Sequence, residues 1–308
     1  MKILALTDGR PGNDNQTLAV AEKLSTRPKA DLEIKRIEFN PLAILPDFLI
    51  GNSAIGIKTD ISELSADLVI ATGRKLARVS RLIKQRTNCK NIQLMWPHHA
   101  TQDFDMIFAP KHDDLAPAAN LHQTIGAPNK IDKKYLRNAA NEFIGRLPKL
   151  DGEKTALLLG DISREDAKIL AQKLSEQHKP VYVTTSRRTK QGIRLLFKVH
   201  LTCDNYFFNW HNGGDNPYAA ILAIADNIIV TADSVGMISE ACTTGKPVYI
   251  VGKPKKAKFL KFYNYLLENN KAQSFEENFP HKPENSYKPL DTRNSVVSEI
   301  RKFLKLKE

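Results

Sequence analysis

Cysteine is scarce: Cys89, Cys203 and Cys242 are the three in 308 residues, and none stands in a C-x-x-C spacing. That argues against a cysteine zinc site and against a disulfide framework. Cys242 falls inside an expected helix and reads as packing rather than as a nucleophile. Long apolar runs are missing too, and none approaches the about 18 residues that a membrane span requires. The opening MKILALTDGR passes straight from apolar residues into a charged turn. It has neither the apolar core nor the small-residue cleavage site of a secretory signal, so a cytoplasmic protein is expected. Neither G-x-G-x-x-G nor G-x-x-x-x-G-K-[ST] occurs, which removes the dinucleotide and ATP fingerprints. Zinc-finger, RNA-recognition and basic-heptad patterns are also absent, so nucleic acid is not an expected partner. No carboxylates are spaced to bridge Mg²⁺ to phosphate, and the adjacent His98 and His99 do not share a face. No metal or other cofactor is therefore expected. Repeats and low-complexity tracts are lacking.

What the chain does have is positive charge and a doubled pattern. The formal net charge is +12, which favours an anionic partner: a nucleotide, an anionic acceptor or an acidic membrane surface. Its length suits two domains of about 150 residues, and 42% hydrophobic content can supply two cores. A strand–loop–helix pattern opens at Ile3–Leu6. It restarts at Thr155–Leu159, after the charged helix 132–145 and the polar stretch RLPKLDGEK. The expected fold class is α/β, with two Rossmann-like domains over residues 1–150 and 151–308 and a linker within 126–152.

Residues 215–250 are the most informative stretch. Asn216-Pro217 opens a helix to Ala225, Ile228–Thr231 is a short buried strand, and Val235–Thr243 is a second helix ended by Gly245. Val248–Val251 is the next strand. Ala232, Asp233 and Ser234 form the turn at the carboxyl end of the first strand, where ligands bind in open α/β sheets. The free amides of a helix N-terminus there favour a phosphate. Glu240, six residues after Ser234, can accept hydrogen bonds from two ribose hydroxyls. Alternatively Asp233 and Ser234 only cap a helix and Glu240 is a solvated face residue.

Three further strand ends carry polar residues. TDGRPGNDNQ follows the first strand, with Asp8 directly past it and a helix expected from Thr17 to Leu24. Its Gly9, Arg10, Pro11, Gly12, Asn15 and Gln16 exceed what a turn needs. Gly73 and Arg74 follow Leu68–Ala71 and open a basic helix, Lys75–Gln85. Thr185-Ser186-Arg187-Arg188-Thr189 ends Val181–Thr184, and two guanidinium forks suit a diphosphate. His98 stands at another strand end as a candidate acid/base or acceptor-binding group. The apolar 40–57 segment is either packed or an acceptor-facing surface. The basic, aromatic GKPKKAKFLKFYNYLL reads either as a membrane-surface helix or as a docked one.

The 215–250 block, with TDGRPGNDNQ, ATGRK and TTSRRT, resembles the donor half of GT-B glycosyltransferases. The nearer resemblance is to bacterial members of the mitochondrial fission ELM-like family, and it covers nearly the whole chain. It implies two Rossmann-like domains facing across a cleft, with the last helix, Ser295–Leu306, crossing back to the first domain. It implies a metal-independent transferase using a nucleotide-sugar donor, in cell-envelope glycan or lipid synthesis, at the inner face of the membrane. Ser186, Arg187, Arg188, Asn216, Asp233, Ser234, Met237 and Glu240 would hold the donor, Glu240 on the ribose. Asp8 would be the base and His98 its reserve, with Gly9–Gln16, Gly73 and Arg74 on the acceptor side. A non-catalytic scaffold with the same shell and a nucleotide-sugar epimerase are the alternatives.

Overall fold

A computed structural model describes residues 1–26, 30–45, 51, 53–201, 205–280 and 287–306. Cys203 and part of the 40–57 segment lie outside them. The chain divides into two compact units, Met1–Lys130 with Asp291–Glu308, and Ile131–Leu290.

The first unit is a six-stranded parallel sheet in the order β2-β1-β3-β4-β5-β6. The strands are β1 (Lys2–Thr7), β2 (Asp31–Arg36), β3 (Leu68–Thr72), β4 (Lys90–Leu94), β5 (Met106–Pro110) and β6 (Leu121–Thr124). Alternation along β1 and β3 sorts the core. Ile3, Ala5, Leu68 and Ile70 face α1 (Pro11–Ser25) and the last helix, α10 (Thr292–Phe303). Leu4, Leu6, Val69 and Ala71 pack on the opposite face with Leu76, Val79 and Ile83 of α2 (Arg74–Thr87). Both faces are covered, which is why these strands read as continuous apolar runs. The last helix is tied to this unit by Thr292 Oγ1 donating to the Ile125 carbonyl and by Arg293 donating to the Lys130 carbonyl at 3.1 Å.

The second unit repeats the plan: β12-β11-β10-β7-β8-β9, all parallel. These are β7 (Thr155–Leu159), β8 (Val181–Thr185), β9 (Asn205–Phe208), β10 (Asn227–Thr231), β11 (Val248–Val251) and β12 (Gln273–Ser274). Leu157, Leu159, Val183, Ile229 and Val251 meet α4 (Arg164–Gln177) and α5 (Gln191–His200) through Leu170, Leu174, Ile193 and Phe197. The remaining helices are α3 (Lys133–Glu142), α6 (Tyr218–Ile224), α7 (Val235–Thr243), α8 (Ala257–Glu268) and α9 (Phe275–Asn278).

Two expectations change. The boundary lies at 130/131 rather than 150/151, because α3 belongs to the second unit. Asp132 caps that helix, accepting from the Tyr135 amide at 2.8 Å. The helix after β1 starts at Pro11, not at Thr17. Pro11 fits a first helical turn, and the Asp14 carboxylate reaches back to the amides of Asp8 and Gly9 at 2.9 and 3.0 Å. Gly12, Asn15 and Gln16 are therefore helical, and the turn itself is only Asp8–Arg10. The basic aromatic helix α8 is docked: Phe262, Tyr263 and Leu266 are buried.

In each sheet the strand order reverses beside the first strand of the unit, between β1 and β3 and between β7 and β10. Such switch points open a crevice at the carboxyl ends. In the second unit the crevice closes to contact at its floor. The Gly160 amide donates to Thr231 Oγ1 at 2.8 Å, and Thr231 Oγ1 donates to Asp233 Oδ1 at 2.7 Å. A Cβ on Gly160 would lie 2.1 Å from Asp233 Oδ1. Gly160→Ala is expected to destabilise the protein by about 1–3 kcal/mol through overpacking. Gly192→Ala, where a Cβ meets open space on α5, should be neutral or stabilising. Urea denaturation of both checks this; an equal effect would leave the Gly160 contact without consequence.

Candidate functional site

The switch point of the second sheet is a cavity of about 470 Å³, of a size usual for small-molecule sites. Four strand ends line it. Asp161, Ile162, Ser163 and Asp166 follow β7, Arg188 follows β8, Ala232 to Val235 follow β10, and Gly252, Lys253, Lys255 and Lys256 follow β11. Phe259 of α8 closes one side.

Each wall has a local cause. Ser163 caps α4, accepting from the Asp166 amide at 3.0 Å and donating to its carboxylate at 2.7 Å. Ser234 caps α7, accepting from the Met237 amide at 3.4 Å. The Val235 and Gly236 amides of that first turn have no acceptor within the helix. Ser186 secures its own turn, accepting from the Arg188 amide at 3.1 Å and bonding Thr189 Oγ1. That fold-back aims Arg188 at Asp233, with Nε at 2.8 Å and the terminal nitrogen at 2.6 Å from Oδ2. Lys255 lies 3.0 Å and Lys190 3.6 Å from Asp161. The Lys255 hydrogen bond holds the Asp161 carboxyl below the usual carboxylate range. Lys253 is exposed at the rim. Cations and a helix N-terminus thus converge on one crevice, with the carboxylates of Asp161 and Asp233 holding Lys190, Lys255 and Arg188 in position. Such a set can bind a polyanion of diphosphate size.

The expected donor residues separate. Arg188, Asp233 and Ser234 line this cavity; Arg187 does not and is exposed, because the turn points one arginine in and its neighbour out. The Met237 amide is spent on the Ser234 cap. Asn216 accepts from the Tyr218 amide at 3.1 Å and lines a different hollow of about 340 Å³ with Tyr135, Glu142 and Asp215. Glu240 is not a solvated face residue. It is partly buried and accepts from the Tyr218 hydroxyl at 2.7 Å. Burial pushes its carboxyl up to about 7, opposed by the Tyr218 bond, and burial raises the Tyr218 hydroxyl well above its ordinary value. Cys242 is buried and its thiol is pushed up to about 12, as suits packing.

Sequence reading missed Asp161, Ser163, Asp166 and the role of Lys253, Lys255 and Lys256. The usable signal was position: each follows a strand of the second sheet at its carboxyl end. In the sequence these lysines read only as part of a membrane-surface or docked helix.

The first unit has its own switch-point cluster. Asp8 accepts from the Arg10 amide at 3.1 Å and lies 3.6 Å from the Arg10 guanidinium. Its side chain is only 3% exposed. Burial raises its carboxyl above the ordinary range, against the pull of Arg10 and Lys75. Burial, then the nearby Arg10 charge, lowers Lys75. Gly73 has φ 85 and caps α2, and a Cβ there would lie 2.8 Å from Asn13 Nδ2. Gln16 donates to the Gly12 carbonyl at 2.9 Å and touches Met95 Sδ at 3.8 Å. His98 is exposed on a turn with φ 73, flanked by left-handed Met95 and Ala100. Among the described residues no group of three or more His, Cys, Asp or Glu could hold a metal ion.

Two parallel α/β sheets, each with its own switch point, make a GT-B-like fold, and the second unit's switch point holds the cavity. A crystal structure of UDP-GlcNAc 2-epimerase from Neisseria meningitidis, bound to UDP-GlcNAc, shares the fold at a TM-score of 0.57 and 11% identity, covering 100% of both chains. The chain belongs to the family described as Mitochondrial fission ELM1, whose model matches residues 11–304. An uncharacterized protein of Rickettsia prowazekii (strain Madrid E) is 31% identical over 357 aligned positions, 99% of each chain. Mitochondrial fission protein ELM1 of Arabidopsis thaliana is 29% identical over 274 positions, 77% of this chain but only 64% of the plant protein.

The Glu240 carboxyl yields a pH prediction. Its folded value, about 7, exceeds the ordinary 4.5, so the folded state holds that proton more tightly. The group's contribution is full below about 4.5 and is lost as pH rises through about 7. Glu240→Gln should match the parent near pH 4.5 and exceed it in stability at pH 8. Urea midpoints across that range check this; parallel curves would refute it.

Proposed function

We propose that this chain is a GT-B-type glycosyltransferase that binds a nucleotide sugar in the 470 Å³ cavity of its second unit. The observation that carries the reading is the meeting of the α7 N-terminus, Arg188 and Lys253–Lys256 at one switch point. The nucleotide sugar bound by the epimerase of the same fold supports the ligand class. The diphosphate takes the free amides of α7 and the lysine rim. Arg188 turns from Asp233 toward the departing phosphate, where charge builds during transfer. Glu240 takes the ribose in exchange for its Tyr218 bond. No metal is required, since cations of the chain supply the counter-charge.

The acceptor is assigned to the first unit, to Asp8, Gly9, Arg10, Gly73 and Arg74. Asp8 is the base, supported by a carboxyl that burial raises toward a useful range. Arg10 must swing away to uncover it. His98, exposed on the turn that follows β4, is the reserve. The reading places the protein in the cytoplasm, working on an acceptor of the cell envelope at the inner face of the membrane.

One observation favours a second reading, a non-catalytic shell: Arg188 and Arg10 are both closed on carboxylates of their own chain. A nucleotide-sugar epimerase, the third possibility, would act on the donor with no acceptor.

Calorimetry with nucleoside diphosphates and nucleotide sugars should show binding that persists in EDTA; loss on chelation would overturn the metal-free reading. Glu240→Ala should weaken binding by roughly 1.5–3 kcal/mol without unfolding the protein, and Arg188→Ala should weaken it more than Arg187→Ala. For Asp8→Asn, donor affinity should stay within a few-fold while turnover falls by about 10² or more. Equal loss of donor affinity would make Asp8 a binding residue. Binding with no transfer to any acceptor would favour the shell, and isomerised donor the epimerase.

A further inference from the structure

The excursion from β2 to β3 is pinned at its base, and its described residues 41–45 and 55 carry exposed aliphatic side chains. Phe39 and Ile57 form an antiparallel bridge. The Asn40 amide donates to the Gly56 carbonyl at 3.0 Å, and the Lys58 amide to the Glu38 carbonyl at 2.8 Å. Phe39 and Ile57 pack on the cluster of Val69, Leu76 and Val79. Arg78, itself buried, donates to the Ile55 carbonyl at 2.6 Å. Above this base the turn Pro41–Ile44 is capped by Asn40, which accepts from the Leu42 amide at 2.9 Å. The chain at Gly56 lies against the backbone of Leu42 and Ala43.

The side chains of this anchored tip face outward. Ile44 is 66% exposed, Leu42 51% and Ile55 48%, and Leu45 is exposed as well. Large aliphatics grouped on a well-bonded turn mark an interaction surface. Cations stand at its foot. Lys75 lies over the Phe39 ring at 5.3 Å, Lys58 follows Ile57 directly and is exposed, and Arg36 is exposed at the end of β2. Glu38 is an exposed acid of this rim, and Asp60 lies near Lys35 and Arg86.

We propose that this ridge docks on the surface of an anionic phospholipid bilayer. Leu42, Ile44, Leu45 and Ile55 enter the acyl boundary while Lys58, Arg36 and Lys75 meet lipid phosphates. Aliphatic insertion next to basic side chains is how proteins lie on a membrane without spanning it, and among the described residues no helix can span one. The charge of the whole chain, +12, acts in the same direction at longer range. The inference does not depend on glycosyl transfer, because the ridge lies in the first unit and the proposed donor cavity in the second.

Cosedimentation of the full chain with phosphatidylcholine vesicles, with and without phosphatidylglycerol, tests it. Binding should require phosphatidylglycerol and weaken with salt. Ile44→Glu, and separately Leu42→Ser, should lower vesicle affinity, the first by at least about tenfold. Lys58→Ala should lower it several-fold at low salt only. All three should keep the parent's melting temperature and its nucleotide affinity. Absence of binding to the anionic vesicles, or binding that Ile44→Glu leaves intact, would overturn the proposal. So would a dimer in sedimentation velocity that Ile44→Glu dissociates, since a second copy would then cover the ridge.

Discussion

Asp233 stands where a side chain on Gly160 would have to be. That exclusion brings the ends of β7 and β10 together, and the second unit's cavity is organised on it. Thr231 bridges the two through its hydroxyl, and Asp233 then has its second oxygen free to hold Arg188. A central sheet strand, a helix cap and a basic loop are thereby locked to one carboxylate. The strand order puts this knot at the point where the sheet's direction of winding reverses, the one place where adjacent loops diverge and leave room.

The first unit solves the same problem with different chemistry. Its switch point lies between β1 and β3, and Gly73 lets Asn13 approach the second strand end. Asp14 satisfies the two amides that the turn leaves open. Asp8, displaced inward by this arrangement, loses most of its contact with water and is left with Arg10 as its partner. The sealed carboxylate and the exposed arginine form one unit. Any ligand that engages Arg10 changes the environment of Asp8.

Charge in this protein is arranged in tiers. Near the cavity Arg188, Lys190 and Lys255 are paired to carboxylates, which keeps them oriented and limits self-repulsion at a site dense in lysine. Lys246 shows the same economy away from the site. It donates to the carbonyls of Leu222, Ala223 and Ala225 at the end of α6, a cation on the negative end of a helix. The surplus charge is left to the rims and to the ridge of the first unit, where water screens it until an anionic surface approaches.

The sequence alone determined the α/β class, the doubling of the pattern, and the position of Ser234 at a strand-to-helix turn, because apolar period and turn chemistry are local properties. The positions of Val235–Thr243 and Val248–Val251 were legible for that reason. Residues 11–16 were not. Their helix depends on Asp14 reaching back to a turn, and their composition reads as loop until that bond is seen. The inward arginine at 188 and the outward one at 187 look alike in sequence; only the fold-back through Ser186 and Thr189 distinguishes them. Asp161 and Lys255, 94 residues apart, became one wall through sheet order. Glu240 was placed correctly on its helix, yet its neighbour Tyr218 and its raised carboxyl came from burial, which spacing cannot report. Tertiary structure decided which polar residues converge, because convergence is a property of strand ends brought together by long-range pairing.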